Sequence, residues 1–434
     1  MKTAAVVGGG FSGTLQAIQL VRAGVTRVVL IEREGAPGRG VAYGTARPEH
    51  LLNVPAAKMS AFPDAPDHFA DWFAGHGGAP HEFAPRRLYG SYVEQLLADA
   101  GDRIEIVRDE ARDILPGEQV VLKSGRRIDA DAVVLAVGNF PPGPLRGLSE
   151  AELPGIYVPD PWAGDFADGL NDQDDVLLIG TGLTAVDAAL TLDAKGFGGR
   201  ILALSRRGLA PRAHRMMAPV PPLGGEPPAT CAALTRAVRR AAEGIGWRAA
   251  VDQLRPVTQR LWAEAPLEER RRFLRHLRPW WDVHRHRIAP SIAARIAEME
   301  AAGRLRFAAG RIVAAAADGS VEWRPRGAAS SERLRAARIV NCTGPEPNIA
   351  RAGDPLLDAL IASGRIRPDP LRIGIDVDAD FRAIGADGEP SETLYAIGPM
   401  TRGAFWEIVA VPDIRGQVKA LAERLGGRGE GQSA

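Results

Sequence analysis

The sequence predicts an α/β fold made of two strand–glycine turn–helix–strand units, with a helical insertion in the second. Three observations predict it: a glycine-rich turn between an apolar strand and an amphipathic helix near the start, a second such turn at 180–185, and a stretch rich in Arg, Trp and Leu whose periodicity is helical. A chain of 434 residues exceeds the size at which one core stops growing, so two or three domains, or one with insertions, are expected. Hydrophobic residues at 45%, charged residues at 25% and a formal net charge of +1 are ordinary for a globular protein and select neither nucleic acid nor an anionic membrane. The expected partners are small molecules. Cys231 and Cys342 lie far apart without a C-x-x-C pattern, which leaves disulfide scaffolds, zinc ribbons and dithiol centres unsupported and reads as cytoplasmic. Glycines interrupt the short apolar run at the start, and no eighteen-residue apolar stretch occurs, so neither a signal segment nor a membrane span is expected. Arginine accounts for 49 of the 54 basic residues, so its abundance alone does not indicate an anion site.

The segment "AAVVGGGFSGTLQAIQL" (4–20) begins as a buried strand and continues into a helix with Leu15, Ile18, Leu20 and Val21 near one face and Gly24 at its end. "RVVLIERE" (27–34) is again a strand. In a chain with 49 glycines, Gly8-x-Gly10-x-x-Gly13 carries little weight alone. Its context adds the weight: Glu32 closes the second strand 19 residues beyond Gly13, the layout of a dinucleotide-binding βαβ unit. Glycines permit the tight turn and the approach of a pyrophosphate, Phe11 and Ser12 start a helix whose N–H groups face the phosphates, and Glu32, with Arg33 beside it, takes the ribose hydroxyls.

"DDVLLIGTGLTAVDAALTLDAKGFGGRILALSRRG" (174–208) repeats the pattern. Strand 176–179 leads into Gly180-x-Gly182-x-x-Ala185, Leu183 and Thr184 open the helix, and strand 201–204 ends in Ser205, Arg206 and Arg207. The two units differ where chemistry requires it. Glu32 accepts from an unmodified ribose and repels a 2′-phosphate, whereas Ser205, Arg206 and Arg207 offer hydroxyl and guanidinium donors to one. The first unit therefore suits FAD and the second NADPH; solvated arginines in an arginine-rich chain are the plain alternative.

Two more strands end in glycine, "DAVVLAVGN" (131–139) at Gly138 and "ARIVNCTGP" (337–345) at Gly344. A late strand, "ETLYAIGPM" (392–400), carries Gly398 and precedes a helix at 411–427. Material for the first unit thus lies at both ends of the chain. The expected organisation is an FAD-binding domain at 1–165 and 336–425, an NADPH-binding domain at 166–335 with the insertion at about 208–303, and a disordered tail at 426–434. Within the insertion, "MMAPVPPLGGEPPAT" (216–230) reads as a loop, and Pro290, Ile292, Ile296, Met299 and Gly303 outline a helix.

This arrangement resembles the flavoproteins with two dinucleotide-binding domains, of glutathione-reductase-like fold, over most of the chain except the insertion. The missing C-x-x-C argues against the disulfide reductases among them. The segment "HLLNVPAAKMSAFPDAPDHFADWF" (50–73) is similar to the one that passes the flavin in flavin-containing and N-hydroxylating monooxygenases, and the resemblance assigns Asn53 to the reactive region of the flavin; a turn-capping asparagine is the alternative. "GVAYGT" (40–45), "HLLNVPA" (50–56), "PRRLYGSYV" (85–93) and "HLRPWWDVHRHRIAP" (276–290) resemble a bacterial group of FAD/NAD(P)-binding proteins, with FAD-dependent urate hydroxylases among similar sequences. Two departures matter. "PGIYVPDPW" (154–162) lacks the histidine of the Baeyer–Villiger fingerprint, and Pro399 follows Gly398 where many flavoproteins of this fold carry an aspartate; backbone donors are the expected replacement.

The resemblance implies an NADPH-dependent FAD monooxygenase that hydroxylates a small molecule, with nitrogen-containing or heteroaromatic compounds as candidates, using molecular oxygen through a flavin hydroperoxide and no metal. An NADPH:acceptor oxidoreductase that does not oxygenate, or a non-catalytic dinucleotide-binding protein, stays open, as does the oligomeric state. Phe405, Trp406 and Trp281 are candidate substrate contacts, with Glu407 adjacent; core or lid packing is the alternative. His284 and His286, two apart, face different sides of a helix and lack a ligand partner, which favours structural or substrate-facing roles over a metal.

Overall fold

The computed structural model describes residues 2–215, 220 and 223–427, so the expected loop 216–230 and tail 426–434 lie partly outside the described residues. Strand β1 (Thr3–Val7) is followed by α1 (Phe11–Arg22), β2 (Arg27–Glu32), α2 (Gly40–Gly44), α3 (His68–Ala74), α4 (Arg86–Ala100) and β3 (Ile104–Arg108). A small antiparallel sheet of β4 (Ala111–Leu115), β5 (Gln119–Leu122) and β6 (Arg127–Asp129) precedes β7 (Ala132–Leu135). The second unit is β8 (Tyr157–Val158), β9 (Asp175–Ile179), α5 (Leu183–Ala194) and β10 (Arg200–Ser205). The insertion holds α6 (Cys231–Asp252), α7 (Thr258–Glu264), α8 (Leu267–Arg272), α9 (Arg278–Arg285) and α10 (Pro290–Ala301). Strands β11 (Leu305–Ala315), β12 (Ser320–Pro325) and β13 (Glu332–Asn341) follow, then α11 (Pro355–Ala362), β14 (Arg382–Ile384), β15 (Pro390–Ala396) and α12 (Val411–Leu425).

The first sheet has the order β14-β15-β7-β1-β2-β3, parallel except for β14, with Val6 opposite both Leu30 and Val134. Ala4–Val7 are buried, as a strand covered on both faces requires. The second sheet runs β12-β11-β10-β9-β13-β8 with β9 inside it. The chain thus has the expected fold class: two Rossmann-like α/β units with a helical insertion. Two expected boundaries shift. Tyr157–Val158 lies before residue 166, yet its backbone pairs with Ile339–Val340 of β13, and β13 itself continues past 335 to Asn341; both belong to the second sheet.

Each unit turns on a glycine that touches a neighbouring strand end. Gly8 has φ +104°, and a Cβ there would lie 2.4 Å from Ala136 O; Gly180 has φ +128°, and its Cβ would lie 2.3 Å from Cys342 O. Only glycine combines that left-handed backbone with that approach. Gly13 extends the constraint, since a Cβ on it would sit 1.8 Å from Gly8 O, and it lets α1 lie against the turn.

The insertion fills the crossover between the parallel neighbours β10 and β11, where Ile201 pairs with Leu305. It reaches back to the first unit. The Trp262 ring stacks on Trp406 at 4.6 Å, its Nε1–H donates to Gly403 O at 2.9 Å, and Ile373 and Trp281 complete an apolar patch around the pair. Trp262→Ala removes a buried aromatic ring and is expected to cost about 3–5 kcal/mol; denaturant midpoints check it, and a loss under about 1 kcal/mol would show that this patch does not anchor the insertion.

Candidate active site

The carboxyl ends of both parallel sheets open onto one cavity of about 1820 Å³, well above the roughly 300–1,000 Å³ of a pocket for one drug-sized ligand. Gly8 after β1, Arg33 after β2, Gly138 after β7, Thr184 after β9 and Gly344 after β13 all line it. This is the topological position at which doubly wound sheets bind ligands.

In the first unit, Gly10 is the N-cap of α1 with φ −69° and ψ −169° and no side-chain cap, which leaves the first amides of the helix to a ligand. Gly10, Phe11 and Ser12 line the cavity; Gly13 lies behind them as a packing position. Glu32 sits at the cavity wall, where its carboxylate accepts from Gly9 N–H at 2.7 Å and Glu34 N–H at 2.9 Å. Arg33 pairs with Asp354 at 3.1 Å, so its charge is partly taken up within the protein. Gly398 differs from expectation. Its amide donates to Gln417 Oε1 at 2.7 Å and its Cα packs on Ser12, so Pro399 lines the cavity and the Gly398 N–H is not a free donor.

The second unit repeats the cap: Gly182 has φ −84° and ψ −163° and again no side-chain cap, and Leu183 and Thr184 line the cavity. Gly180 supports the turn through its contact with Cys342. The expected 2′-phosphate group is narrower than the sequence suggests. The Ser205 hydroxyl is held between Thr181 Oγ1 at 2.9 Å and the Gly208 N–H at 3.0 Å, and Arg207 donates to His276 O at 3.3 Å. Arg206 is exposed and has no hydrogen-bond partner among the described residues.

The insertion forms the opposite wall. His214 is half-buried and donates from Nε2 to Asn53 O at 2.8 Å; its partial burial pushes its pKa down, which favours the neutral ring while it positions the Asn53 loop. Glu407 occupies the left-handed region at φ +67°, a strained position for a non-glycine residue. Trp281 Nε1–H donates to its Oε1 at 2.7 Å, Arg285 Nε to its Oε2 at 3.0 Å, and His286 Nε2 lies 3.5 Å from Oε1. Burial alone would raise this carboxyl, but His286, Arg285 and Trp281 outweigh it and hold the group at about 2. The three aromatic residues expected to contact substrate pack behind this wall instead. Trp406 is stacked on Trp262, Phe405 lies 5.1 Å from the Phe381 ring, and Trp281 is spent on Glu407. The cavity surface there comes from Glu407, Val409, Arg285 and His286; His284 turns away and contacts Trp280 O at 2.7 Å. Among the described residues, no group of three or more His, Cys, Asp or Glu side chains could hold a metal ion, and no helix is long and apolar enough to cross a membrane.

Residues 5–140 match the FAD-NAD(P)-binding family. No curated protein matches the chain by sequence. Among solved structures, the chain is similar to ornithine N-hydroxylase from Kutzneria sp. 744, whose structure holds reduced FAD, NADP+ and L-ornithine, at 17% identity and TM-score 0.66 over 98% of this chain and 99% of that one. L-lysine 6-monooxygenase from Pseudomonas syringae aligns at 16% identity and TM-score 0.66 over 99% and 100%. A bacillithiol disulfide reductase from Bacillus cereus aligns at 14% and 0.57 over 98% and 99%. At these identities the likeness is one of fold.

The FAD-NAD(P)-binding segment brings its own test of fit. The uncapped start of α1 and the carboxylate of Glu32 suit a pyrophosphate and a ribose diol, and a Cβ at Gly8 would close the turn between them. Sequence reasoning missed the join between the two units. Buried His50 contacts Asp187 O and Thr191 Oγ1 at 3.2 and 3.1 Å, and Arg86 grips the Asp187 carboxylate at 2.6 and 3.1 Å, which ties α4 and the 47–53 loop to α5. Its signal was present in "HLLNVPA" and "PRRLYGSYV", but the partner lies about a hundred positions away.

Arg206→Ala is expected to raise KM for NADPH about ten- to hundredfold, the loss of one charge-assisted phosphate contact of roughly 1.5–3 kcal/mol, and to leave NADH unchanged. Steady-state kinetics with both nicotinamides check it; equal effects would remove Arg206 from 2′-phosphate recognition. Glu407 is depressed from its ordinary 4.5, so its contribution to stability is fully present above that value and is lost as pH falls through about 2. The stability lost in Glu407→Gln, read from urea midpoints, is expected to hold constant above about pH 5 and to shrink between about pH 4.5 and about pH 2. A pH-independent loss would mean that ionisation is not what holds the residue.

Proposed function

We propose that this protein is an NADPH-dependent FAD monooxygenase acting on a small molecule. The observation that carries the reading is that two glycine-cradled βαβ units of equivalent geometry face each other across a single cavity, with space beyond them walled by the insertion. Bound FAD would supply hydride acceptance from NADPH and activation of molecular oxygen. The reaction balances as substrate plus O2, NADPH and a proton giving hydroxylated substrate, water and NADP+. The first cradle would hold the FAD pyrophosphate and the second that of NADPH, with Arg206 at the 2′-phosphate. Asn53, fixed through its carbonyl by His214, would border the reacting centre.

The alternative of disulfide reduction is disfavoured by the cysteines themselves. Cys342 is buried against Gly180, and burial pushes its thiol up; burial and the Glu269 carboxylate push Cys231 up to about 11, away from a reactive thiolate. The test is to supply NADPH and 18O2 to the FAD-loaded protein with a panel of amines, amino acids and purines and to look for one 18O atom in a product by mass spectrometry. Incorporation supports the monooxygenase. NADPH oxidation that tracks hydrogen peroxide or dye reduction throughout the panel, with no labelled product, would favour the acceptor reductase.

A further inference from the structure

Four arginines of the insertion line the cavity: Arg215, which is exposed, and Arg255, Arg285 and Arg287, which differ in how their donors are used. Arg287 is largely spent: it grips Asp252 through two contacts of 2.9 Å and donates to His284 O and Arg248 O at 2.8 and 3.2 Å. Arg285 spends its Nε–H on Glu407, and its two terminal NH2 groups have no partner among the described residues. Arg255, in the turn before α7, has Asp413 no nearer than 3.8 Å, beyond a hydrogen bond, and no other partner among the described residues. Arg255 and Arg285 therefore face one end of the cavity with most of their guanidinium donors free.

The nearby carboxylates leave those donors free. Partial burial and then the neighbouring Arg285 push the Arg255 pKa down, the sign of two cations held close. Glu407 is already engaged by Trp281 and Arg285, and Asp413 stands 3.8 Å from Arg255, so neither carboxylate takes up the remaining guanidinium donors.

On the proposed oxygenase reading, we propose that Arg255 and Arg285 bind a carboxylate of the molecule to be oxidised. A planar carboxylate matches the guanidinium fork and can accept from the free donors of both side chains. A nucleotide phosphate fits less well, since it brings up to two charges and has its own donors at the uncapped starts of α1 and α5 and at Arg206, on other elements. The substrate class is a small organic acid, and the insertion selects it.

The test titrates the FAD-loaded protein by calorimetry with benzoate, inorganic phosphate and NADP+. Benzoate is expected to bind saturably, and Arg255→Met, which gives up no hydrogen bond within the protein, is expected to weaken it by at least about tenfold while FAD content stays the same. Arg206→Ala is expected to weaken NADP+ and leave benzoate unchanged. Equal benzoate affinity in Arg255→Met, or no benzoate binding to the unaltered protein, overturns the proposal. Loss of NADP+ rather than benzoate in Arg255→Met, or phosphate binding tighter than benzoate, assigns the pair to a nucleotide phosphate and overturns it too. Failure of 18O incorporation with benzoate binding intact would count against oxygenation and leave the anion site standing.

Discussion

Everything else in this structure depends on a backbone-to-backbone contact made twice. Gly8 rests against Ala136 O and Gly180 against Cys342 O, each at the end of a central strand and each facing the end of the neighbouring parallel strand. A side chain at either position would force the strand ends apart, and the following helix would no longer start where its free amides meet the cavity. The parallel continues two residues on, where Gly138 and Gly344 both adopt positive φ, +71° and +88°. The two units therefore share the first strand, the turn, the helix cap and the exit of the third strand. What differs is the chemistry at the end of the second strand, a carboxylate at Glu32 against a solvent-facing guanidinium at Arg206.

Two duplicated units sharing a cavity still have to be held in register. One tie is the buried set of His50, Arg86, Asp187 and Thr191, in which the first unit grips the first helix of the second. The other is the insertion, which leaves the second sheet after β10 and places Trp262 on Trp406, His214 under Asn53, and Trp281 and Arg285 on Glu407. Buried ion pairs of this kind contribute little net stability, because desolvation offsets much of their attraction, but they penalise any alternative arrangement in which a partner is lost.

Legibility in the sequence followed the range of the interaction. The glycine turns, their strands and helices, and Glu32 were readable because each is decided within about thirty residues by periodicity and backbone freedom. The β8 strand was not, since two residues pair there only because β13 offers an edge almost two hundred positions later. Phe405 and Trp406 could be placed beside the cavity but not turned: their neighbours, Phe381 and Trp262, come from distant segments and draw the rings inward. Glu407 carries no sequence sign of its left-handed backbone. Ser205 was misjudged for the opposite reason, because its nearest partners, Thr181 and Gly208, are local and take up the hydroxyl before any ligand can.

The insertion begins and ends at strands that are hydrogen-bonded to each other, Ile201 of β10 opposite Leu305 of β11. Its two attachment points are thus fixed by the sheet whatever lies between them. In evolutionary terms the segment behaves as an exchangeable cassette: it can lengthen, shorten or be replaced without disturbing either glycine cradle, provided it presents an apolar surface to Trp406 and a cation to Glu407. A lineage could in this way acquire new chemistry at the far end of the cavity while inheriting the nucleotide geometry unchanged.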